Sequence, residues 1–304
     1  MICPNCENYI DDNLEFCPYC NVNLKIVTSK MLISIGVLLA NEEQNEEAIE
    51  YCNQAIEINP SYETWYGKGV CLSELKRYEE ALDCYDIAIE LKPNDKYAWN
   101  NKGLCLSELE KYEEALECYN KAIEIDSSYA SAWYNKGLCL YNLREWDEER
   151  EYYDKAIKCY NTAIKLEPKN PEYWISKGKI LEGELYECFG KAAECYDKAI
   201  KLEPNSGYYW FLKGRALFNE SKVKSFIDNN HSWDYYKEYE EYEEGIECIH
   251  TAIKLGLEKF EYWMDMGKCL VEMEIYEEAI ECYDKATELK PDGSYSWLSD
   301  SSLA

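Results

Sequence analysis

A tryptophan recurs along this chain at a nearly constant spacing. Successive members of the series are 34, 34, 41, 36, 53 and 34 residues apart, and they are Trp65, Trp99, Trp133, Trp174, Trp210, Trp263 and Trp297. A base period of 34 residues with occasional insertions indicates a helical repeat array. Because such an array grows by adding copies, the length of 304 residues does not imply several globular domains.

Apolar residues within one copy keep the period of a helix. In residues 99–132, Trp99, Gly103 and Leu106 fall at positions i, i+4 and i+7, and a second apolar series starts at Ala115. Each copy is therefore predicted to be a hairpin of two helices, each about 14 residues or roughly 21 Å long. We expect the small residues Gly103 and Ala115 to let the two backbones approach closely. One hairpin cannot cover its own apolar face, so neighbouring hairpins must stack.

The pattern resembles the tetratricopeptide repeat (TPR) family, and the residues that carry the likeness are Trp99, Gly103, Tyr112, Ala115, Tyr119 and Ala122 with their counterparts in seven copies. The resemblance covers about 270 of the 304 residues. It implies an all-α fold, a right-handed superhelical solenoid of antiparallel helix pairs. The seven units expected within residues 32–296 are 32–64, 65–98, 99–132, 133–173, 174–209, 210–262 and 263–296. Residues 297–304 would form a short C-terminal cap or a truncated eighth helix.

Two of these units are longer than the period requires. The fourth has seven extra residues, or two helical turns, so its second helix can lengthen without breaking the apolar face. The sixth has nineteen, roughly over residues 221–241, where we expect a loop at Asn229 and Asn230 and then an acidic, aromatic helical extension. That extension either packs on its neighbours or contributes to binding.

Residues 1–24 do not belong to the repeat, and they contain two C-P-x-C turns formed by Cys3, Cys6, Cys17 and Cys20. Two such turns can offer four thiolates to one tetrahedral ion, the geometry of a structural zinc site. Metal binding would supply the folding energy of so small a segment, on the order of 10 kcal/mol. The segment resembles a zinc ribbon, joined to the repeats by a connector at 25–31 in which Thr28 or Ser29 caps the first helix. Iron in a rubredoxin-like site and a redox-active dithiol are the alternatives.

Zinc ribbons usually place glycine after the second cysteine of each turn, where the backbone takes a positive φ. This chain has Glu7 and Asn21 there. Asparagine tolerates that geometry better than glutamate does, so we expect the first turn to be slightly strained.

The charge of the chain narrows the possible partners. With 60 acidic and 32 basic residues, the net charge is −28. This argues against nucleic acid and against an anionic membrane surface, and it favours partners with basic patches.

The longest apolar run, residues 31–40, is half of the roughly 20 residues that a membrane span needs, and the N-terminus lacks the layout of a signal peptide. The sequence sets no oligomeric state.

Sixteen cysteines would suggest disulfides in a secreted protein, but twelve of them follow the repeat, as Cys71, Cys105 and Cys139 do at 34-residue steps. We interpret these twelve as small buried apolar residues in a reducing compartment, with a disulfide or redox role as the alternative. We therefore expect a cytoplasmic protein.

The TPR resemblance implies that the first helix of each pair lines a concave groove, and that residues one, two and five positions after each Trp point into it. The candidate ligand contacts are Tyr66, Asn100, Asn101, Tyr134, Asn135, Lys179, Arg215 and Lys268. An asparagine amide both donates and accepts, as a peptide unit does. Asn101 and Asn135 lie at equivalent positions and resemble the asparagine ladder of some peptide-binding TPR proteins. Solvated side chains or bonds between helices are the alternative for both.

The three cations in this set occupy equivalent positions on successive units, so we expect them to anchor a carboxylate of the ligand. Pairing with neighbouring glutamates is the alternative. The clamp by which some TPR proteins bind chaperones is absent, because its positions hold Tyr66, Val70 and Ser131.

Catalysis is not expected. The two histidines, His231 and His250, have no partners at the spacing of a triad or a metal site, and there is no glycine-rich phosphate loop. The sequence thus predicts a scaffold that holds a peptide or protein in a concave groove. The first alternative is a zinc-ribbon adaptor that recruits partners to a nucleic-acid or transcription machine. The second is a cofactor-dependent enzyme.

Overall fold

The computed structural model describes residues 5–6, 8–9, 15–42, 45–143, 149–184, 188–228, 240–257 and 259–289. Within them lie fourteen α-helices and no β-strand. The helices are α1 Leu24–Asn41, α2 Asn45–Ile58, α3 Tyr62–Glu74, α4 Tyr78–Leu91, α5 Lys96–Glu108, α6 Tyr112–Ile125, α7 Ala130–Asn142, α8 Glu149–Leu166, α9 Pro171–Glu184, α10 Phe189–Leu202, α11 Gly207–Asp228, α12 Glu240–Leu255, α13 Phe260–Glu272 and α14 Tyr276–Leu289.

Consecutive helices pack in pairs, α1 with α2 through α13 with α14. This confirms the all-α array of helix pairs that the sequence predicts. The chain divides into two compact units, residues 1–166 and 167–304, which we call unit 1 and unit 2. In unit 1 the first, or leading, helix of each later pair also contacts the leading helix and the second, or trailing, helix of the pair before it. In unit 2, α11 contacts both α10 and α13.

Helix α1 begins earlier than the sequence suggests. The side chain of Asn23 accepts a hydrogen bond from the backbone N–H of Ile26 and caps a helix that starts at Leu24. Leu24 is 2 % exposed and packs beside Cys17, so burial of this residue fixes the start. Residues 25–31, predicted as a connector with a cap at Thr28 or Ser29, are therefore helical.

The earlier start also changes the membrane argument. By length and composition alone α1 could cross a bilayer, with a mean hydropathy of 1.5 over 18 residues, of which 22 % are buried. The expectation that no segment reaches this length is wrong for α1, because the helix extends the apolar run 31–40 upstream. In unit 1 this helix is the leading helix of the first pair, where it packs against α2 and α3.

Five of the repeat tryptophans connect their leading helix to the turn before it. The indole N–H donates to the carbonyl oxygen six residues earlier, at 2.9 Å from Trp99 to Pro93 and 3.0 Å from Trp133 to Ser127. Trp174, Trp210 and Trp263 make the same bond. Because the acceptor is a backbone oxygen, Ser127 can replace the proline found in sister copies.

In five of the pairs, the glycine four residues after the tryptophan makes room for a tyrosine ring of the trailing helix. A Cβ at Gly103 would lie 2.7 Å from a ring carbon of Tyr119. Gly69, Gly137, Gly178 and Gly267 face Tyr85, Tyr160, Tyr196 and Tyr283 in the same way. The close backbone approach expected at Gly103 occurs instead in the sixth pair, where a Cβ at Gly214 would lie 2.7 Å from the carbonyl oxygen of Gly245.

The insertions lengthen helices. In the fourth pair α8 has 18 residues, whereas α4 and α6 have 14. In the sixth pair α11 continues to Asp228 and reaches 22 residues. The predicted loop at Asn229 and Asn230, and the predicted end segment 297–304, lie outside the described residues.

Candidate ligand-binding faces and cysteine cluster

Three N-terminal cysteines come together although they are distant in sequence. The sulfur atoms of Cys6, Cys17 and Cys20 all lie within 4.8 Å of one another, and those of Cys6 and Cys17 are 3.6 Å apart. Two thiolates on a tetrahedral zinc ion, each with a Zn–S bond of about 2.3 Å, would be roughly 3.8 Å apart. The donor set therefore fits such an ion. Cys3, the fourth predicted ligand, lies outside the described residues.

The turn after Cys17 has the geometry that the sequence suggests. Asn21 adopts φ 54° and donates its backbone N–H to the carbonyl of Cys17 at 2.8 Å. Hydrogen bonds from the Asn5 side chain and the Val22 backbone lower the pKa of Cys20 to about 6, which favours the thiolate that a metal needs. An antiparallel bridge joins Phe16 to Asn23, and no strand of a ribbon appears among the described residues.

In unit 1 the leading helices α3, α5 and α7 leave three rows of side chains partly or fully exposed. Counted from each Trp, the rows lie two residues before it and five and nine residues after it, a spacing that puts them on one helix face. We call this set the unit 1 face, and it consists of Glu63, Tyr97, Ser131, Val70, Leu104, Leu138, Glu74, Glu108 and Asn142. The side chains of Tyr97 and Leu104 are 47 % and 38 % exposed.

A chain of amide hydrogen bonds runs beneath this face across three leading helices. Asn135 donates to Asn100 at 3.0 Å, Asn100 donates to Asn101 at 3.3 Å, and Asn101 donates to the hydroxyl of Tyr66 at 3.0 Å. Asn100 and Asn135 are 3 % and 9 % exposed, whereas Asn101 and Tyr66 are half-buried. The asparagines therefore bond to one another between repeats, and their contact with a ligand stays a prediction.

The two tyrosines predicted to contact a ligand lie against other aromatic rings. Tyr66 stacks on Tyr62 with ring centroids 5.6 Å apart, and Tyr134 lies 5.9 Å from Tyr160 at a tilt of 46°. Burial raises the pKa of Tyr66 to about 12, so its hydroxyl is neutral at physiological pH. These packed rings form a rigid, half-buried floor beside the exposed rows.

The three predicted cations of unit 2 differ in their surroundings. Lys179 is exposed, with its ammonium group 5.2 Å from the ring centre of Tyr208. Lys268 is exposed and lies 3.4 Å from a carboxylate oxygen of Asp265. Arg215 is paired with Glu182 at 2.7 Å, and the carboxylate is only 12 % exposed. The role of the three in binding a carboxylate stays a prediction.

Glu182 belongs to a buried polar cluster that the sequence analysis missed. In the second and third pairs the hydroxyls of Tyr85 and Tyr119 lie 3.1 and 3.0 Å from Ser73 and Ser107. Glu182 takes the place of those serines in the fifth pair, where the facing ring is Tyr196. Register within the repeat could have revealed it, because a glutamate stands where sister copies have serine.

Arg215 supplies the positive charge that a buried glutamate requires at a position where sister copies have serine. Burial raises the pKa of Glu182 in spite of the neighbouring guanidinium, and burial together with Glu182 raises the pKa of Tyr196. One carboxylate oxygen of Glu182 and the hydroxyl of Tyr196 lie buried without a hydrogen-bond partner.

A separate cavity of about 760 Å³ lies in unit 2, between the turns that precede α11 and α13. Tyr209 lines this cavity, and its hydroxyl donates a hydrogen bond to the carboxylate of Glu172, which also lines it, at 3.1 Å. None of the predicted ligand contacts lines it.

Eleven of the twelve repeat cysteines are buried, as the periodic pattern predicts, whereas Cys188 is half-buried, and none of the twelve forms a disulfide. Burial raises the pKa of Cys84, Cys118 and Cys139 to about 11, which keeps these thiols protonated and unreactive.

Sequence profiles of known families agree with this architecture. A profile described as tetratricopeptide repeat matches residues 29–62, 62–95, 97–129 and 260–292, and two further profiles of the same repeat match 118–151 and 149–183. Together they cover more than half of the chain. The chain belongs to the tetratricopeptide repeat family. The stretch 184–259, which no profile matches, still contains the helices α10, α11 and α12 of TPR-like pairs.

Individual relatives support the TPR fold and leave the ligand undefined. A crystal structure of a tetratricopeptide repeat protein from Parabacteroides merdae superposes with a TM-score of 0.60 over 88 % of this chain and 95 % of that one, at 15 % identity. An uncharacterised protein of Methanocaldococcus jannaschii is 47 % identical over 51 residues, or 16 % of this chain. A UDP-N-acetylglucosamine–peptide N-acetylglucosaminyltransferase of Giardia intestinalis is 36 % identical over 66 residues, or 21 % of this chain.

The chain spans 59 % of the length of the first of these two relatives and 4 % of the second. The likeness to the transferase is therefore confined to a small part of that protein. TPR proteins generally act as scaffolds for protein–protein interaction and not as enzymes.

Proposed function

We propose that this TPR protein is a non-catalytic scaffold that binds a peptide or protein segment along the exposed rows of its leading helices. The unit 1 face carries this proposal. Tyr97 and Leu104 are exposed on α5, Val70 and Leu138 are half-buried on the neighbouring helices α3 and α7, and polar side chains border all four. A row of exposed apolar side chains with a polar border is typical of an interaction site.

In unit 2 the corresponding row supplies positive charge. Lys179 and Lys268 are exposed at equivalent positions of α9 and α13, and Arg215 lies between them in the register of the repeat. In our proposal this row binds a carboxylate of the ligand. Lys179→Glu should weaken capture of partners whose binding segment is acidic, and unchanged capture would contradict the anchoring role.

The N-terminal cysteines hold one structural zinc ion in this proposal. Cys6, Cys17 and Cys20 supply three thiolates that already lie close together, and Cys3 completes the set. Zinc closed by four sulfurs offers no open position for a substrate, so its contribution is to folding. Purified protein should contain one zinc per chain by elemental analysis. Iron in its place would support the rubredoxin-like alternative.

Affinity capture from a cell lysate tests the scaffold role. Leu104→Asp places a charge at the centre of the unit 1 face, and Leu91→Asp is the matched control because Leu91 is 53 % exposed near the end of trailing helix α4. We expect quantitative mass spectrometry to show partners that Leu104→Asp loses and Leu91→Asp keeps. Equal recovery of every partner by both variants and the wild type would refute binding through this face.

A further inference from the structure

We propose that the unit 1 face binds an extended peptide segment in which lysine or arginine side chains alternate with aliphatic ones. This inference rests on the proposed scaffold function and adds the chemistry of the ligand.

The apolar part of the ligand is indicated by the central row of the face. Val70, Leu104 and Leu138 occupy equivalent positions on α3, α5 and α7. Because α5 contacts both α3 and α7, the three side chains lie on neighbouring helices. A segment that crosses these helices can bury an aliphatic side chain on each, and removing that apolar surface from water favours binding.

The basic part of the ligand is indicated by the acids beside that row. Glu63, Glu74 and Glu108 are exposed, and none of the three makes an ion pair with a described residue. The three rows contain no lysine or arginine. The ion pairs that lysines of unit 1 form with described residues use acids outside the face, and these pairs are Lys92 with Asp95, Lys96 with Asp126, Lys102 with Asp86, Lys121 with Glu124 and Lys155 with Glu151.

Other ligand classes fit this face less well. An acidic segment would meet three like charges, which raises the free energy of the complex. A wholly apolar segment would cover carboxylates without pairing them, and burying an unpaired charge is costly. Lysine and arginine satisfy both requirements, since their aliphatic stems extend the apolar contact while their charged ends reach the glutamates. In unit 2 the positions equivalent to this apolar central row hold the cations Lys179, Arg215 and Lys268.

Selection from an unbiased library of displayed random peptides tests the inference on the full chain. Peptides recovered by the wild type and rejected by Leu104→Asp should be enriched in lysine or arginine together with leucine, isoleucine or valine. Enrichment of acidic or uncharged peptides with the same dependence on Leu104 would overturn the basic ligand and leave the scaffold function standing. If no peptide depends on Leu104, the inference fails, and the lysate experiment decides the scaffold function separately.

Matched charge variants then test the role of the glutamates. Glu74→Gln with Glu108→Gln removes two charges from the face, whereas Glu113→Gln with Glu114→Gln removes two exposed charges from trailing helix α6. Glutamine at 108 keeps an acceptor for the hydroxyl of Tyr78, which donates to Glu108 at 3.3 Å. For a selected basic peptide we expect Kd to rise roughly tenfold in the first variant and to stay within about twofold in the second. Equal changes in both variants would show that only the overall charge of the protein matters, and would overturn the inference.

Discussion

Gly103 shows how a single missing side chain determines the packing of a repeat. A Cβ added there would lie 2.7 Å from the ring of Tyr119, which is 1 % exposed and cannot move into solvent. We expect Gly103→Ala to lower the free energy of unfolding by about 2 kcal/mol, because overpacking forces the ring and its helix to shift. Denaturant titration followed by circular dichroism measures this difference.

A second variant separates the steric effect from a change in helix propensity. Tyr119→Leu removes the ring, so the extra methyl group should cost far less in the double variant than in the single one. Additive losses in the double variant would show that the ring is not what requires glycine at this position.

At the scale of residues, the sequence predicts periodic positions well and their partners less well. Trp99, Gly103 and the buried cysteines are recognised because they recur every 34 residues. The sequence also predicts Asn100 and Asn135 as ligand contacts, which stays a prediction, but it does not predict that the two are buried and bonded to each other. Periodicity gives the direction of a side chain only to within the rotation between one helix residue and the next. Two adjacent positions can therefore differ, with one on the exposed face and the other in a contact between helices.

The turn between a leading and a trailing helix is a second place where sequence and backbone disagree. Lys76, Glu110 and Glu274 have φ near +60° at the ends of α3, α5 and α13, a conformation that favours glycine. The N–H of Lys111, one residue after Glu110, donates to the carbonyl of Leu106 at 2.8 Å and fixes that turn.

Glu110→Gly should therefore stabilise the protein. Removing Cβ relieves about 1 kcal/mol of strain or more, and the greater freedom of glycine in the unfolded chain offsets part of it, which leaves a gain of about 0.5 kcal/mol. Glu117→Gly, at an exposed position within α6, should instead cost about 1 kcal/mol. Thermal unfolding of both variants checks the two signs, and destabilisation by both would show that strain at Glu110 is negligible.

The pair of Glu182 and Arg215 links α9 to α11 in unit 2, and its removal should be costly. Arg215→Met leaves the carboxylate buried beside Tyr196 without a cation, so we expect a loss of about 3 kcal/mol at neutral pH. Glu182→Ser in the same chain should restore most of the loss, because serine bonds the facing tyrosine in the second and third pairs. Urea titration of the single and double variants measures both effects.

The pH dependence of Arg215→Met gives an independent check. The pKa of Glu182 is already raised by burial, and loss of the guanidinium raises it further. An acid with a raised pKa in the folded state binds its proton more tightly there, so its destabilising effect is full above that pKa and fades as the pH falls towards the unfolded value. The difference in stability between Arg215→Met and the wild type should therefore shrink in acid. A difference that grows in acid would refute this assignment.

At the scale of elements, the sequence predicts the presence of a helix better than it predicts the residues at which that helix begins and ends. The sequence predicts a helix in the first copy, yet its start at Leu24 depends on a contact with Cys17 that no local signal reveals. Likewise, the insertion after Ser221 continues α11 to Asp228, because helical propensity there meets no breaker. Helix boundaries that depend on tertiary contacts cannot be predicted from the local sequence pattern of the helix.

At the scale of the whole molecule, one number predicts most of the architecture. A period of 34 residues specifies helix pairs, their stacking and the TPR family without any knowledge of individual contacts. The period does not specify the chemistry of the leading-helix faces, since those side chains are free to vary once the packing positions are fixed. The exposed acids of the unit 1 face are therefore recognised only when exposure is known, whereas the cations of unit 2 are already predicted from the register of the repeat.

The N-terminal cysteine cluster and the repeats should respond differently to loss of the proposed zinc ion. In that proposal, Cys17→Ser lowers the zinc content from one ion per chain to none, since three thiolates bind far more weakly than four. Leu24 packs against Cys17, and the N–H of Leu24 donates to the carbonyl of Glu15 at 2.9 Å. We therefore expect the first turn of α1 to lose protection in hydrogen exchange, while most of the helical circular dichroism signal remains, because each later pair is stabilised by its own neighbours.

Cys52→Ser is the matched control, because Cys52 is also fully buried but lies in trailing helix α2. It should keep the zinc and lower the free energy of unfolding by about 1 kcal/mol, since a hydroxyl replaces a small apolar group in the core. Loss of helical signal in Cys17→Ser comparable to global unfolding would contradict this independence, and it would show that the metal supports the whole of unit 1.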